Sequence, residues 1–339
     1  MRTDARETAA TTTQTSWKRE LAHAIREPDE LIELLRLSER FRESARRAAK
    51  VFPLVVPREF VRRMEPSNPD DPLLRQVLPL DCEADSVKGF SDDPLQERSY
   101  QSAPGLLYKY ASRVLLVAVG SCAINCRYCF RRHFPYEAVP KGLTAWHPAL
   151  ETIEADNSVR EVILSGGDPL LLTDDLLGRL LERLEAIPHV TRVRIHSRLP
   201  IVLPARVTTA LVHRLRASRL TPFVVVHANH PGELVGRCAD ALGELVDSGI
   251  PVLNQAVLLQ GVNDDIEPLQ TLCERLIDLR VIPYYLHQLD PVAGAAHFYV
   301  DPQRGVELVE ELRRRLPGYA VPTYVREVPG AASKLPIRP

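Results

Sequence analysis

The chain has 339 residues, with 43 lysines and arginines against 44 aspartates and glutamates. This even balance excludes the broadly basic surface that binds nucleic acid or anionic membranes, so small or near-neutral partners are favoured. No apolar run reaches the roughly 18 residues that a membrane span needs, and residues 1–16 lack the apolar segment of a secretory signal. We therefore expect a cytoplasmic protein that binds neither membrane nor nucleic acid, with a disordered tail over residues 1–16.

The next segment, residues 17–105, is predicted to be a helical N-terminal region. Apolar side chains recur at three- and four-residue spacing in 19–37 and 38–52, as they do on one face of a helix. Proline-punctuated connections then lead to a second region, 106–336. The total length allows about two domains, or one barrel-sized domain with extensions.

From residue 113 onward, short β-branched runs alternate with amphipathic helical patterns. Strands are predicted at 114–119, 161–165, 193–197, 223–228, 252–259 and 282–289, and helices at 174–187, 205–217, 233–249 and 266–279. Repeats of a strand and then a helix indicate an α/β fold with a parallel sheet covered by helices. The pattern does not distinguish an open sheet from a partial barrel, but in both architectures ligands bind at the carboxyl ends of the strands.

Three of the six cysteines stand directly after the first predicted strand, in the segment SCAINCRYCF, as Cys122, Cys126 and Cys129. In a reducing cytosol such closely spaced thiols are better interpreted as metal ligands or redox groups than as disulfides. An iron-sulfur cluster normally takes four thiolates, so three would leave one iron open to another ligand. The alternatives are a zinc site or three ordinary half-buried thiols. The other cysteines are expected to serve packing: Cys82, Cys238 and Cys273.

The array C-x3-C-x2-C, with Tyr128 before its last cysteine, resembles the radical S-adenosylmethionine superfamily, and SGGDP (165–169) after the next strand strengthens the resemblance. The resemblance implies a partial parallel (β/α)6 barrel of the radical SAM type. It also implies a 4Fe-4S cluster whose open iron binds S-adenosylmethionine, with a turn formed by Gly166, Gly167 and Asp168 beside it. Because glycine has no Cβ, we expect Gly166 and Gly167 to permit close approach of this ligand to the backbone.

Longer segments narrow the resemblance to the lysine 2,3-aminomutases, over residues 50 to 336. They include LSGGDPLLL, RIHSRLPIVLPARVT, LNQAVLLQGVNDD, PYYLHQLDPVAGAAHF and PGAASKLP. Within that family the chain is most similar to the short bacterial elongation factor P (R)-β-lysylation proteins, which isomerise free lysine to β-lysine for a separate ligase. The resemblance implies an isomerase in which a 5′-deoxyadenosyl radical removes hydrogen from C3 of lysine bound to pyridoxal 5′-phosphate.

The resemblance also assigns residues to the pyridoxal phosphate site. Lys334, in PGAASK, matches the lysine of the family's PGGGGK motif, which forms the Schiff base. Only Gly330 of the glycine run is kept, followed by two alanines and a serine. Further cofactor contacts are implied at Lys109, Tyr110, Arg113 and His287.

Three charged residues are implied to bind the substrate. Arg131 matches the family's carboxylate-binding arginine, and Asp290 matches one of two aspartates that hold the ε-ammonium. The second aspartate is Glu327 in this chain, which keeps the charge on a side chain about one methylene longer. These acids favour lysine over glutamate as substrate. We also expect Asn254, Gln255 and Asn263 to line the barrel mouth, with no assigned role.

Partners and alternatives follow from the same resemblance. A reductant such as flavodoxin or ferredoxin and a functional link to an elongation factor P ligase are expected. Asp265 replaces a zinc-binding cysteine of the long clostridial enzymes, and the chain ends soon after Lys334, so we expect no zinc and consider a homodimer rather than their tetramer. Three other functions remain open: a catabolic or biosynthetic lysine aminomutase, a radical aminomutase for another amino acid, and a non-enzymatic iron-sulfur or zinc protein.

Overall fold

The computed structural model describes residues 16–338, so all but residue 16 of the predicted tail lies outside the described residues. The N-terminal region contains the helices α1 (16–22), α2 (Pro28–Leu34), α3 (Phe41–Val51), α4 (Arg58–Val61) and α5 (Pro72–Arg75). It also contains the 3₁₀ turns Asp81–Ala84 and Glu97–Tyr100. The helical pattern of 19–37 is divided between α1 and α2, because Pro28 has no backbone N–H and starts a new helix.

Within residues 16–338, ten strands form one sheet in sequence order. They are β1 (Gln101–Ala103), β2 (Leu106–Tyr110), β3 (Arg113–Val119), β4 (Glu161–Gly166), β5 (Arg192–His196), β6 (Thr221–Val226), β7 (Val252–Val257), β8 (Ile282–His287), β9 (Thr323–Arg326) and β10 (Leu335–Pro336). The strands from β3 to β9 pair in parallel, whereas β1, β2 and β10 pair antiparallel at the two edges. The six predicted strands and their parallel arrangement are confirmed, and β9 extends the parallel sheet by one strand.

Helices connect the parallel strands and cover one face of the sheet. They are α6 (Leu143–Ala155), α7 (Asp174–Glu185), α8 (Leu199–Val202), α9 (Thr209–Arg216), α10 (Arg237–Asp247), α11 (Ile266–Asp278) and α12 (Pro302–Arg315). In α7, Leu177, Leu180, Leu181 and Leu184 recur at helical spacing and are all buried. The four predicted helices are confirmed, and α6, α8 and α12 are additional.

The sheet curls into a partial barrel rather than lying open. Lys109 in β2 contacts Glu327, which follows β9, although these strands stand near opposite ends of the strand order. Successive side chains of a strand point to opposite faces, so alternate residues line the barrel interior. On β4 and β5 these residues are Glu161, Ile163, Ser165, Arg192, Arg194 and His196. The curl therefore places polar side chains from many strands around one space.

The N-terminal region shares one apolar core with the barrel. Trp17 and Phe60 from that region belong to the same cluster of buried side chains as Leu164 and Val224 from the strands. Cys238 and Cys273 are buried in this core, as the packing prediction required, whereas Cys82 is half-buried in a 3₁₀ turn. No helix among residues 16–338 is long and apolar enough to cross a membrane.

Candidate active site

A cavity of about 730 Å³ occupies the interior of the barrel. This volume lies within the roughly 300–1,000 Å³ typical of small-molecule sites. Of the residues that the sequence assigns to cofactors and substrate, all except Gly166 line this cavity: Cys122, Cys126, Cys129, Gly167, Asp168, Lys109, Tyr110, Arg113, Arg131, His287, Asp290, Glu327 and Lys334.

The cysteine loop (residues 120–132) follows β3 and is braced by the N-terminal region. The backbone N–H of Asn125 donates to the Val55 carbonyl, and that of Arg127 donates to the Gln76 carbonyl, each at 2.9 Å. The Arg127 side chain is fully buried and pairs with Glu83 at 2.5 Å. Because these contacts join distant segments, the N-terminal region determines the conformation of the loop.

The three thiols share one electrostatic environment. Burial and the neighbouring thiols raise the pKa of Cys129 to about 11 and that of Cys122 well above its usual range. Cys126 Sγ instead accepts a hydrogen bond from Arg198 Nη1 at 2.7 Å. Three such thiols become thiolates together only when a cationic centre compensates their charge.

The spacing of possible ligands bears on the choice between zinc and a cluster. Within residues 16–338, no three His, Cys, Asp or Glu side chains are gathered closely enough to hold a single ion. A zinc site would bring each sulfur to about 2.3 Å from one metal. A 4Fe-4S cluster takes each thiolate on a different iron and therefore needs wider spacing. The donor set fits a cluster better than a mononuclear site.

The SGGDP turn packs directly against the cysteine loop. A Cβ on Gly167 would lie 2.1 Å from the Ser121 carbonyl oxygen, and one on Gly166 would lie 2.5 Å from Val117 Cγ1. The chain itself therefore fills the space that a side chain would need at both positions, and the approach of a ligand to this backbone stays a prediction. Gly166 also has a φ of 109°, which favours glycine, and its carbonyl accepts from the Tyr136 hydroxyl at 2.8 Å.

Asp168 joins the turn after β4 to the segment after β5. Its carboxylate accepts from the backbone N–H groups of Leu170, Arg198 and Leu199 and from the Ser197 hydroxyl, at 2.7–3.1 Å. Burial raises the pKa of this carboxyl group, and these donors oppose the rise. Asp168 therefore fixes two loops of the cavity wall.

A buried polar network beneath Cys126 has no counterpart in the sequence predictions. Arg198 Nη2 donates to Glu233 Oε2 at 2.9 Å and to Gln76 Oε1 at 2.6 Å, and both carboxylate and guanidinium are almost fully buried. Tyr128 joins the network through His227 Nε2 at 2.9 Å. Burial and the Arg198 charge lower the pKa of His227 to about 3, so this imidazole is neutral at neutral pH.

Arg131 is held by a carboxylate that the sequence predictions missed. Its Nε and Nη2 donate to the two carboxylate oxygens of Glu97 at 2.7 and 2.6 Å. Burial opposes the charge of Arg131, but Glu97 raises the pKa of the guanidinium overall. The remaining nitrogen, Nη1, lies 3.2 Å from Ser165 Oγ. Arg131 thus turns one edge to Glu97 and the other toward β4.

The acidic end of the cavity combines two carboxylates with two lysines. Glu327 Oε1 accepts from Lys109 Nζ at 2.5 Å, and its Oε2 accepts from Lys334 Nζ. Burial alone would raise the pKa of Glu327, but the two ammonium groups lower it to about 2. Asp290 accepts no side-chain hydrogen bond from residues 16–338, and burial and the Glu327 charge raise its pKa to about 7.

The predicted pyridoxal contacts separate into different environments. Arg113 has no ion-pair partner among the described residues, and its guanidinium carbon lies 4.8 Å from the centre of the Tyr110 ring. His287 lies at the end of β8, where burial and Lys334 lower its pKa to about 3. Lys109, in contrast, forms an ion pair with Glu327. Arg113, whose charge is unpaired among the described residues, suits a phosphate group better than Lys109, whose charge is already paired.

The polar residues expected at the barrel mouth also separate. Gln255 lines the cavity, with Nε2 at 3.5 Å from His196 Nδ1. Asn254 is buried outside the cavity and bonds both backbone groups of Ala228, at 2.8 and 3.0 Å. The Asn263 side chain accepts a hydrogen bond from the backbone N–H of Leu259 and donates one to the backbone carbonyl of Asn229. The prediction that both asparagines line the mouth is wrong, since they satisfy backbone groups that loops leave unpaired.

The lysine segment (residues 327–336) carries Lys334 to the cavity. Four residues, 330–333, separate the proline of PGAASK from its lysine. Among these four, only Gly330 has a positive φ, which is 81°. The alanines and the serine that replace the family's other glycines occupy ordinary backbone conformations. The substitution of that glycine run is therefore compatible with the loop.

Comparison with known proteins identifies relatives over nearly the whole chain, although no protein-family profile matches it. An L-lysine 2,3-aminomutase from Escherichia coli is 47% identical over 97% of this chain and 96% of its own length. One from Haemophilus influenzae is 43% identical, with 94% of each chain covered. The L-lysine 2,3-aminomutase of Clostridium subterminale is 35% identical over 95% of this chain and 78% of that protein.

Solved structures show a more partial similarity. Streptococcus suis SuiB bound to S-adenosylmethionine covers 65% of this chain and 48% of its own, with a TM-score of 0.48 and 16% identity. A radical SAM methyltransferase from Sphaerobacter thermophilus covers 65% and 68%, with a TM-score of 0.44 and 19% identity. The sequence relatives, by contrast, match almost from end to end. On their similarity, this chain belongs to the lysine 2,3-aminomutase family of isomerases.

Proposed function

We propose that the chain converts free L-lysine to β-lysine by moving the α-amino group from C2 to C3 in a radical reaction. The observation that carries this proposal is the placement of two features around one cavity. The first is the set of three thiols in the cysteine loop, and the second is Lys334 beside the carboxylates of Asp290 and Glu327. The first feature suits generation of a radical, and the second suits capture of a diamino acid.

The proposed cofactors are a 4Fe-4S cluster, S-adenosylmethionine and pyridoxal 5′-phosphate, and the residues present fit each. Cys122, Cys126 and Cys129 would hold the cluster. The Gly167 carbonyl, which accepts no hydrogen bond from a described residue, can receive the amino group of S-adenosylmethionine. Lys334 can bind the pyridoxal aldehyde and Arg113 its phosphate. When bound, these groups supply the radical chemistry and the electron sink for the migration.

The proposed role of Arg131 is to orient the substrate carboxylate. A carboxylate accepts a stronger hydrogen bond from a guanidinium than a hydroxyl does, so the substrate can replace Ser165 as acceptor for Nη1. Glu97 meanwhile keeps the other edge of the guanidinium in place. This arrangement holds the reacting carbons at a fixed position, which matters because a misplacement of about 1 Å can cost on the order of 100-fold in rate.

The proposed role of Asp290 and Glu327 is to bind the ε-ammonium of the substrate. Both acids reach the same cavity, and Asp290 has no cation of its own among residues 16–338. An acidic end of this kind attracts lysine and repels the side-chain carboxylate of glutamate. The site is therefore selective for a basic amino acid.

We further propose that the β-lysine is supplied to a ligase that modifies elongation factor P, and that flavodoxin or ferredoxin reduces the cluster. The support is the end-to-end match with the short Escherichia coli and Haemophilus influenzae proteins, compared with 78% coverage of the clostridial one. The test is to add the reaction product to elongation factor P with its ligase. A mass increase of one β-lysyl group is expected, whereas no modification would leave a catabolic or biosynthetic role.

The experiment that tests the aminomutase activity is anaerobic reconstitution with iron, sulfide, S-adenosylmethionine and pyridoxal phosphate, followed by chromatography of the products from free L-lysine. We expect β-lysine to accumulate only with all cofactors and a reductant. An enzyme with an intact cluster that forms no β-lysine, or that isomerises another amino acid instead, would contradict the proposal.

A further inference from the structure

Lys109 lies at the acidic end of the cavity, where it is paired with a carboxylate. Its Nζ is 2.5 Å from Glu327 Oε1, and the two side chains are only 11% and 13% exposed. The partner of Lys109 is therefore a buried carboxylate. Arg113 stands nearby across the β2–β3 hairpin, where Tyr110 pairs with Arg113, and it has no acidic partner among residues 16–338. The two cations therefore differ in their environment, since only Lys109 is paired with a carboxylate.

A charge count shows what Lys109 contributes. The charged groups at this end are Lys109, Lys334, Glu327 and Asp290. When the Lys334 nitrogen is bound to the pyridoxal cofactor, it no longer forms an ion pair with Glu327. With Asp290 ionised, Lys109, Glu327 and Asp290 then carry one net negative charge, which matches the single ε-ammonium of a lysine that enters before its α-amino group displaces Lys334 from the cofactor.

Resting on the proposed function, we propose that Lys109 is a positioning residue for substrate selection: its ion pair holds Glu327 oriented after Lys334 is committed, so that the acidic end matches one ε-ammonium. Without Lys109, two buried carboxylates would face each other uncompensated, and one of them would take up a proton or turn toward Lys334. Either response removes an acceptor from the substrate site.

Lys109→Met tests the inference, because methionine has a similar length and no charge. Lys109→Arg keeps the positive charge. Arg113→Met makes the same substitution at the residue proposed to bind the phosphate and serves as the control. Each reconstituted full-length enzyme is assayed for iron, for pyridoxal phosphate affinity, and for kcat and KM with L-lysine. Binding of L-lysine and of L-norleucine, which has the same number of carbons without the ammonium, is read from changes in pyridoxal absorbance.

For Lys109→Met we expect unchanged iron and pyridoxal phosphate affinity, and a preference for lysine over norleucine that falls by about tenfold or more. Lys109→Arg should recover most of that preference. Arg113→Met should lower pyridoxal phosphate affinity instead. In combination with Glu327→Gln, which removes the partner, Lys109→Met should add little further loss of preference.

Two results would overturn the inference. If Lys109→Met loses pyridoxal phosphate as Arg113→Met does, Lys109 is a phosphate ligand. If its preference for lysine stays at the wild-type value, the ion pair has no part in selection. Should Lys109→Met fail to fold, Lys109→Gln replaces it under the same criteria. A wild-type enzyme that binds norleucine as well as lysine would contradict the proposed function itself, and this inference with it.

Discussion

The cysteine loop and the lysine segment reach the same cavity but are attached to the fold in different ways. The cysteine loop is bonded to the N-terminal region through Val55, Gln76 and Glu83, and it packs against Gly167. No residue from 328 to 338 is buried, and the lysine segment is attached by a short pairing of β9 with β10, a hydrogen bond from Gly330 to Tyr100, and the ion pair of Lys334 with Glu327.

This difference shows that contacts with the rest of the fold hold the cysteine loop more firmly than they hold the lysine segment. Segments with few buried contacts open at lower free energy than the core does. In the proposed function the cysteine loop keeps three thiols in place for a cluster, and its many contacts with the rest of the fold are consistent with that role. In the proposed function the lysine segment accepts a cofactor and exchanges it with a substrate, and its few contacts allow such changes.

The largest effect should come from the cysteine loop itself. Cys126→Ser removes one of three sulfur ligands, so we expect loss of bound iron and of all activity, measured by iron content and product chromatography. Cys82→Ser, at a half-buried cysteine outside the loop, is the matched control and should retain both. Full iron content and activity in Cys126→Ser would show that the three thiols do not form the metal site.

The corresponding change in the lysine segment should separate two activities. Lys334→Ala removes the amine that we propose binds pyridoxal, so β-lysine formation should stop while the cluster and the reductive cleavage of S-adenosylmethionine remain. The exposed Lys141→Ala should behave as wild type. Detection of β-lysine from Lys334→Ala, or loss of iron from it, would remove the distinction between the two parts of the site.

A variant of the N-terminal brace should affect stability and the cluster together. Glu83 accepts from Arg127 and Arg132, and all three side chains are nearly fully buried. Glu83→Gln leaves two buried guanidinium groups without a counter-charge, so the free energy of unfolding should fall by about 3–5 kcal/mol. Denaturant titration measures the loss, and iron content should fall with it.

The control for this variant is Glu43→Gln, which breaks the exposed pair of Glu43 and Arg46. It should change neither stability nor iron content, because solvent screens an exposed pair. Equal behaviour of the two variants would mean that the brace does not support the cysteine loop.

The smallest effect should be a fall in kcat/KM for lysine at low pH (the acid limb of the pH profile), caused by protonation of Asp290 at the acidic end of the cavity. Asp290 is ionised above its pKa of about 7 and protonated below it, and only the ionised form pairs with an ammonium group. Lysine kcat/KM should therefore fall as pH drops below about 7, by about tenfold per unit, since kcat/KM reports groups of the free enzyme. Asp290→Asn should lower kcat/KM and abolish the limb.

Glu327→Gln should move that limb to lower pH, because it removes the charge that helps to raise the pKa of Asp290. Glu327 itself, with a pKa of about 2, should produce no limb in this range. A flat profile in the wild-type enzyme from neutral pH to pH 5 would assign the ammonium site elsewhere.

Sequence patterns predicted much of the fold and one part of the site. The six strands follow β-branched runs that contrast with the amphipathic helices between them, and the cysteines stand at a fixed spacing within one loop. These signals are local. Long-range pairs such as Glu97 with Arg131 and Gln76 with Arg198 leave no such signal, because they join residues only after the sheet has curled.

The roles of similar residues also depend on that curl. Lys109 and Arg113 are cations on the two arms of one hairpin, and nothing in their sequence indicates which of them meets a carboxylate. The return of the chain after β9 decides it, by bringing Glu327 to Lys109. The glycines of SGGDP were recognised for their size, but the loop that fills their Cβ positions could be identified only in the structure.

The placement of radical source and substrate in one cavity is tested most directly with L-lysine deuterated at C3. The reconstituted enzyme is incubated anaerobically with this substrate and S-adenosylmethionine, and the adenosyl group is recovered for mass spectrometry. We predict that deuterium appears in the adenosyl group and that the β-lysine retains the remaining label. Formation of β-lysine with no deuterium in the adenosyl group would contradict direct hydrogen transfer between the two parts of the site.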